Sequence, residues 1–210
     1  MQPRGFEVYM KTVFVLLDSL NRGAMEPYGS TTVKTPNFKR FQRRAITFDN
    51  HFVGSLPCMP ARRDLHTGRN HFLHRSWGPL EPFDDSFPEL LKENGFYSHL
   101  ITDHHHYFAD GGATYHQRFS SWELVRGQAI DRWKAEVEPD LVSLKSAYHK
   151  AQHHRTNYMI NRKSMTKEED YCAPQLFKMA HEFLQKNRKA DNWLLQLECF
   201  DPHEPFHAPS

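Results

Sequence analysis

Three short apolar runs stand out in a chain that is otherwise rich in polar residues. They are Lys11 to Leu17, Phe96 to Ile101 and Trp193 to Phe200. Apolar runs of this length, enriched in β-branched and aromatic side chains, are typical of strands buried on both faces, as in parallel sheets. We also expect an extended segment from Ile46 to Val53.

Helix start signals lie between these runs. Thr35-Pro36 predicts an N-cap followed by proline at the first helical position, which opens a short helix to about Arg44. Ser86-Phe87-Pro88-Glu89 has the spacing of a capping box, and its helix should end at Gly95.

A second capping box, Thr166-Lys167-Glu168-Glu169, predicts a helix to about Asn187. We expect one face of this helix to carry the apolar residues Leu176, Phe177, Ala180 and Leu184. Residues 104–165 have weak periodicity, which predicts a long excursion with one or two short helices. Residues 1–10 are expected to be an N-terminal extension. The alternation of strands and helices predicts an α/β fold with a mainly parallel sheet between helices.

Charge and composition exclude several classes of function. Among 210 residues, 27 Lys and Arg balance 25 Asp and Glu, so nothing attracts nucleic acid or anionic lipid in general. No apolar run approaches the roughly 18 residues of a membrane span, and no secretory signal is visible. Three widely spaced cysteines (Cys58, Cys172 and Cys199) indicate a reducing compartment, and we expect a cytoplasmic protein, with export left open.

Three acids follow the predicted strands directly. Asp18, Asp103 and Asp201 each lie just beyond a strand's carboxyl end, where ligands bind in open α/β sheets. Histidines follow Asp103 and Asp201 closely, and the chain contains 15 His in all, which favours a polar site for a metal or an anion. The alternative is ordinary turn chemistry at each position.

Residues 58–69 carry the most specific pattern. Pro60 favours a helix start and Gly68 a helix end, so Cys58 is expected at a helix N-terminus. Amide hydrogens and the helix dipole stabilise an anion there, and Arg62 can direct its guanidinium to the same place. A nucleophile beside anion-stabilising groups indicates catalysis, whereas a buried free cysteine beside a cap is the structural alternative.

The chain resembles the sulfatase family of the alkaline-phosphatase-like superfamily. It contains the complete signature C-x-P-x-R-x-x-x-x-T-G-R, with fixed positions at Cys58, Pro60, Arg62, Thr67, Gly68 and Arg69. Thr35 to Phe38, Ile46 to Asn50, Phe87 to Ser98 and Asp201 to Pro205 are similar to further family segments. The resemblance covers residues 11–210 and implies the N-terminal portion of a sulfatase catalytic domain.

The resemblance also implies a mechanism. A maturation enzyme converts the signature cysteine, here Cys58, to formylglycine, whose hydrated aldehyde attacks the sulfur of a sulfate monoester. Asp18 and Cys58 would then bind a divalent cation, Ca²⁺ by preference, with Mg²⁺ or Mn²⁺ as alternatives. Arg62 would hold the modified side chain, and His203 would contact the sulfate. His105 would hydrogen-bond the diol or the leaving oxygen.

Two departures concern individual residues. Ser19 stands where many relatives have a second metal-binding acid, so it is the candidate for that place in the metal shell. The family's G-K-W-H segment corresponds to Thr102-Asp103-His104-His105, which lacks the sulfate-binding lysine, so His104 or a neighbouring histidine becomes the candidate donor. Metal binding by Asp103 and His104, and a solvated histidine loop without a function, are the alternatives.

Family members carry a further metal-binding pair and a second lysine on later strands. We therefore expect these 210 residues to be inactive alone. The expected substrate is a small-molecule or carbohydrate sulfate ester. A phosphodiester or phosphonate monoester hydrolase and a non-catalytic remnant are the competing interpretations.

Overall fold

The computed structural model describes residues 9–140 and 152–209. The strands are β1 (Lys11–Leu17), β2 (Tyr97–Thr102), β3 (Ser121–Leu124) and β4 (Trp193–Cys199). They form a parallel sheet in the order β1, β4, β2, β3. The expected parallel sheet is confirmed, and the three strands predicted from apolar runs agree with the structure to within one residue at either end.

The α-helices of the described part are α1 (Pro36–Gln42), α2 (Cys58–Thr67), α3 (Phe87–Glu93), α4 (Gln152–Arg162) and α5 (Cys172–Lys186). Within the described ranges, every helix is too short or too polar to cross a lipid bilayer. Proline at the start of α1 and Gly68, which follows α2 with a φ of 66°, act as the sequence predicts.

The central strand β4 is buried on both faces and divides the core in two. Leu195 and Leu197 point to one face, where Leu176 of α5 packs against them. Leu194 points to the other face, where Met59 of α2 belongs to the same apolar cluster. Because side chains alternate along a strand, Gln196 and Glu198 share the face of Leu194 and are fully buried with it.

The extended segment expected at residues 46–53 is not a strand. Its apolar side chains Ile46, Phe48 and Phe52 are exposed, so they do not enter a sheet core. The backbone is held by side chains instead, since Arg22 donates to the Asp49 carbonyl and Tyr28 to the Phe48 carbonyl.

Strand β3 was not predicted from the sequence. It has only four residues, two of them exposed, and lies at the edge of the sheet beside β2. A strand of four half-exposed residues produces no recognisable pattern of apolar residues in the sequence, because pairing with β2 rather than burial of its side chains holds it in the sheet.

Both capping-box predictions were wrong in detail. Ser86 lies at the N-cap of α3, but its hydroxyl contacts Nδ1 of His66 at 2.8 Å and does not cap the helix. In the second box, Asp170 takes the place expected of Glu169 and accepts from the amides of Thr166 and Lys167. Helix α5 begins after that turn, and Phe177 on its predicted apolar face is 49% exposed.

Candidate active site

The carboxyl ends of β1, β2 and β4 meet at one edge of the sheet. The amide of Asp18 donates to the carbonyl of Cys199 (2.9 Å), which joins the end of β1 to the end of β4. The amide of Phe200 donates to the carboxylate of Asp103 (2.7 Å), which joins β4 to the residue that follows β2. Parallel pairing therefore brings residues 18, 103 and 200 together although they are far apart in sequence.

A thiol, a carboxylate and an imidazole converge at this edge. One ligand atom each of Asp18, Cys58 and His203 lies within 4.8 Å of the others. Asp18 follows β1, Cys58 is the first residue of α2, and His203 follows β4. Ser19, which has a positive φ of 57°, donates its hydroxyl to Asp18 Oδ1 at 2.9 Å. The structure thus places four of the sequence-predicted site residues side by side.

Arg62 forms the buried floor of this cluster. Its Nη2 lies 2.8 Å from Asp18 and 2.7 Å from Glu198, and its Nε donates to Glu198 at 2.7 Å. Burial disfavours the guanidinium charge, but Glu198, Tyr107 and Asp18 together outweigh burial and raise the pKa of Arg62. Arg62 is therefore a fixed positive charge next to the candidate cluster, and its Nη1 donates to the carbonyl of Cys58 one helical turn earlier.

Glu198 and Tyr107 were missed by the sequence reasoning. The Tyr107 hydroxyl donates to Glu198 Oε2 at 2.7 Å, on the opposite side of the carboxylate from Arg62. Both side chains are fully buried. The sequence does contain one indication of this pair: a glutamate inside an otherwise apolar strand is buried and charged, so it requires a cationic or hydrogen-bonding partner.

Burial and Asp18 raise the pKa of the Cys58 thiol to about 11, and the Arg62 charge offsets this only in part. At neutral pH the unmodified sulfur is therefore protonated, and a protonated thiol is a weak nucleophile. This state contrasts with the activated thiolate of cysteine hydrolases, which has a lowered pKa.

The histidine triplet lies against the cluster and is not a solvated loop. His104 is fully buried, and its Nε2 lies 3.8 Å from Asp18 Oδ2. Burial first, and then the charge of Arg62, lower the pKa of His104 well below its ordinary value, so the ring is neutral. Burial and His106 lower the pKa of His105 to about 3, while burial and His203 lower that of His106 to about 4.

His105 packs within the histidine triplet and, among the described residues, is not one of the cluster that Asp18, Cys58 and His203 form. Its ring packs against His106 (4.0 Å between centroids) and Phe200 (5.5 Å). With Arg126 and Arg132 it lines a groove of about 550 Å³. Asp103 contacts the Phe200 amide, and burial raises its pKa well above the ordinary range; among the described residues it is not part of the candidate cluster.

The chain belongs to the sulfatase family. The Sulfatase family model matches residues 11–210. Over 120 residues the chain is 27% identical to the N-acetylglucosamine-6-O-sulfatase of Bacteroides thetaiotaomicron, covering 55% of this chain and 20% of that protein. It is 27% identical to human N-acetylgalactosamine-6-sulfatase over 109 residues, covering 44% and 21%. The chain thus spans about a fifth of the length of these curated relatives.

A third relative has a broader description. The Multifunctional alkaline phosphatase superfamily protein PehA of Trinickia caryophylli is 40% identical over 60 residues, covering 29% of this chain and 12% of that protein.

Solved structures share the fold. The structure of BT4656 in complex with its substrate D-glucosamine-2-N,6-O-disulfate matches with a TM-score of 0.66 at 19% identity, covering 96% of this chain and 36% of that chain. The crystal structure of Ps i-CgsB matches with a TM-score of 0.60 at 18% identity, covering 97% and 47%. The fold is therefore the alkaline-phosphatase-like α/β fold of sulfatases.

Proposed function

We propose that the protein contributes the nucleophile half of a site that hydrolyses sulfate monoesters, with Cys58 converted to formylglycine. The observation that carries the proposal is the convergence of Asp18, Cys58 and His203 within 4.8 Å at the N-terminus of α2. The complete signature around Cys58 supports it, as does membership of the sulfatase family.

The residues present are compatible with a divalent cation in this cluster. Asp18 offers two carboxylate oxygens: Oδ2 is paired with Arg62 Nη2 at 2.8 Å, and Oδ1 accepts from the hydroxyl of Ser19, which lies beside it. A cation held by Asp18, Ser19 and the converted side chain of residue 58 would act as a Lewis acid and favour ionisation of a bound hydroxyl. Ca²⁺ prefers oxygen ligands and is therefore the proposed cation, with Mg²⁺ or Mn²⁺ as alternatives.

The other side chains would bind and orient the sulfate. Arg62 supplies a fixed positive charge beside residue 58, where negative charge develops in the transition state. His203 and His104 border Asp18 and act as donors to sulfate oxygens. A histidine with a pKa of about 3 is neutral at pH 7, so His105 would serve as a hydrogen-bond donor rather than a proton donor.

The substrate class follows from the relatives and is part of the proposal. The named relatives include two amino-sugar 6-sulfatases, and BT4656 was solved with a sulfated glucosamine. We therefore propose a sulfated sugar as substrate.

A second candidate is the hydrolysis of phosphodiesters or phosphonate monoesters. Asp103 stands where the sulfate-binding lysine is expected, with His104 as the candidate donor in its place, and the similarity to PehA is the highest in identity among the relatives described above. A neutral histidine distinguishes sulfate esters from phosphate esters by charge less than a lysine does. Kinetic comparison of the two esters therefore has to decide between the two functions.

The test uses the full-length gene product, coexpressed with a formylglycine-generating enzyme, with the 210-residue chain in parallel. Mass spectrometry of the Cys58 peptide should show the aldehyde, and the full-length protein should hydrolyse glucosamine 6-sulfate and an aryl sulfate. Cys58→Ala should abolish turnover, while Cys172→Ala, the matched change at a cysteine outside the cluster, should retain it.

Three outcomes distinguish the interpretations. A higher kcat/KM for a phosphodiester than for a sulfate ester would favour the second candidate. An unconverted thiol without turnover of either ester would favour a non-catalytic remnant. We expect the 210-residue chain to be inactive alone, because its described cluster contains a single carboxylate, and turnover by that chain would refute this requirement.

A further inference from the structure

The cluster has a different donor set before Cys58 is converted. Its ligand atoms are then the sulfur of Cys58, a ring nitrogen of His203 and a carboxylate oxygen of Asp18, all within 4.8 Å of one another. Sulfur, imidazole nitrogen and carboxylate oxygen are the ligands of Zn²⁺, which binds four in tetrahedral geometry. Ca²⁺ instead takes about six to eight oxygen ligands.

His104 provides an independent observation. It is fully buried, yet neither ring nitrogen has a hydrogen-bond partner among the described residues. Buried polar atoms in folded proteins nearly always have a partner, so an unpartnered imidazole indicates a missing ligand. The Nε2 atom lies 3.8 Å from Asp18 Oδ2, which directs it toward the cluster.

The charges around the cluster suit a divalent cation. Arg62 lies 2.7 Å from Glu198 and 2.8 Å from Asp18, so its single positive charge is shared between two carboxylates. Asp18 and a Cys58 thiolate would carry two negative charges, which one divalent cation neutralises.

We propose that the protein with an unconverted Cys58 binds one Zn²⁺ ion through Cys58, His203 and Asp18. His104 lies outside the group of atoms within 4.8 Å of one another, so it borders the ion at Asp18 while a solvent oxygen completes the four ligands. As the sulfur–zinc bond forms, the thiol proton leaves to solvent, and no oxidation or reduction takes place. Conversion of Cys58 to an aldehyde removes the sulfur, so the preference of the site moves toward hard cations. This inference concerns the thiol form and does not rest on the proposed hydrolysis.

The experiment uses Co²⁺ as a spectroscopic substitute for Zn²⁺. The reduced 210-residue chain is produced without a maturation enzyme, and mass spectrometry verifies that Cys58 is a thiol. Titration with Co²⁺ should produce a thiolate-to-cobalt charge-transfer band in the near ultraviolet at one equivalent, together with the visible bands of a tetrahedral site. Zn²⁺ should abolish both, whereas excess Ca²⁺ should not.

Variants locate the site. Cys58→Ser should eliminate the charge-transfer band and weaken Co²⁺ binding by at least about tenfold, the smallest effect commonly seen when even an outer-sphere partner is lost. His203→Gln, at a partly exposed side chain, should weaken binding to a similar degree without disturbing the fold. Cys172→Ala should leave the spectrum unchanged, because this buried cysteine lies outside the cluster.

A second measurement does not depend on the stability of any variant. Zn²⁺ should protect Cys58 of the wild-type chain from alkylation by iodoacetamide, whereas Ca²⁺ should not. The proposal is overturned if the wild type gives no charge-transfer band, if the band survives Cys58→Ser, or if Ca²⁺ displaces Co²⁺ as readily as Zn²⁺ does. None of these outcomes bears on sulfate-ester hydrolysis, which is measured on the converted protein.

Discussion

The last turn of helix α2 contains a buried histidine, His66, whose protonation should lower the stability of the fold in acid. His66 is enclosed by Phe87, Tyr115 and Phe119, and its Nδ1 contacts the Ser86 hydroxyl at 2.8 Å. Burial lowers its pKa from 6.5 to about 3. Between these two pH values the unfolded chain binds a proton that the folded chain does not, so the free energy of unfolding falls as the pH is lowered.

The magnitude follows from the two pKa values. Between pH 7 and pH 5 the contribution of His66 to the free energy of unfolding should fall by about 2 kcal/mol. His66→Gln keeps a polar group near Ser86 but does not titrate in this range. Urea unfolding followed by tryptophan fluorescence at both pH values should therefore show a pH-dependent loss about 2 kcal/mol smaller in the variant than in the wild type.

The control is His181→Gln, at an exposed position of α5, which should keep the wild-type pH dependence. Only the change with pH is compared, because loss of the aromatic contacts lowers the stability of His66→Gln at every pH. Equal pH dependence in the wild type and His66→Gln would show that the His66 ring takes up a proton in the folded state, and the reasoning would be refuted.

Three further predictions concern stability and can be measured by urea unfolding at pH 7. Arg62→Met leaves the buried Glu198 carboxylate without its cation and should lower the free energy of unfolding by about 3–5 kcal/mol; an unchanged value would contradict the buried ion pair. Asp64→Asn replaces the carboxylate that accepts hydrogen bonds from the amides of Ser55 and His71, and it should lower the free energy of unfolding by about 1–3 kcal/mol. Because these hydrogen bonds outweigh burial and lower the pKa of Asp64, its contribution should be present at neutral pH and lost only below the ordinary carboxyl range, so acid sensitivity at pH 6 would oppose the assignment. Gly112→Ala places a Cβ against the backbone carbonyl of residue 106 and should destabilise by about 1–3 kcal/mol, whereas Gly78→Ala, where the Cβ meets open space, should be nearly neutral.

The sequence by itself determined three of the four described strands (β1, β2 and β4), the helix of the signature and the family. The apolar run at residues 193–199 is continuous because β4 is buried on both faces. The run at residues 11–17 has the same pattern, but β1 lies at the edge of the sheet and leaves Val13 and Val15 exposed, so the expected burial on both faces is wrong for this strand. The signature around Cys58, with Gly68 after the helix, could be recognised from the sequence because it depends only on residue type and local backbone geometry. Ser86 shows the limit of such local signals, because its hydroxyl found a partner in the distant His66 rather than in its own helix.

Only the tertiary structure decided which side chains meet. The parallel register of β1, β2 and β4 sets Asp18, His104 and His203 around Cys58, and no pattern in the chain encodes a distance between residues so far apart. The same holds for the burial of Glu198 between Arg62 and Tyr107, which depends on the face that β4 turns toward α2. Local sequence fixes backbone conformation and residue chemistry, whereas contacts, charge partners and pKa values arise when the strands pair and water is excluded from between them.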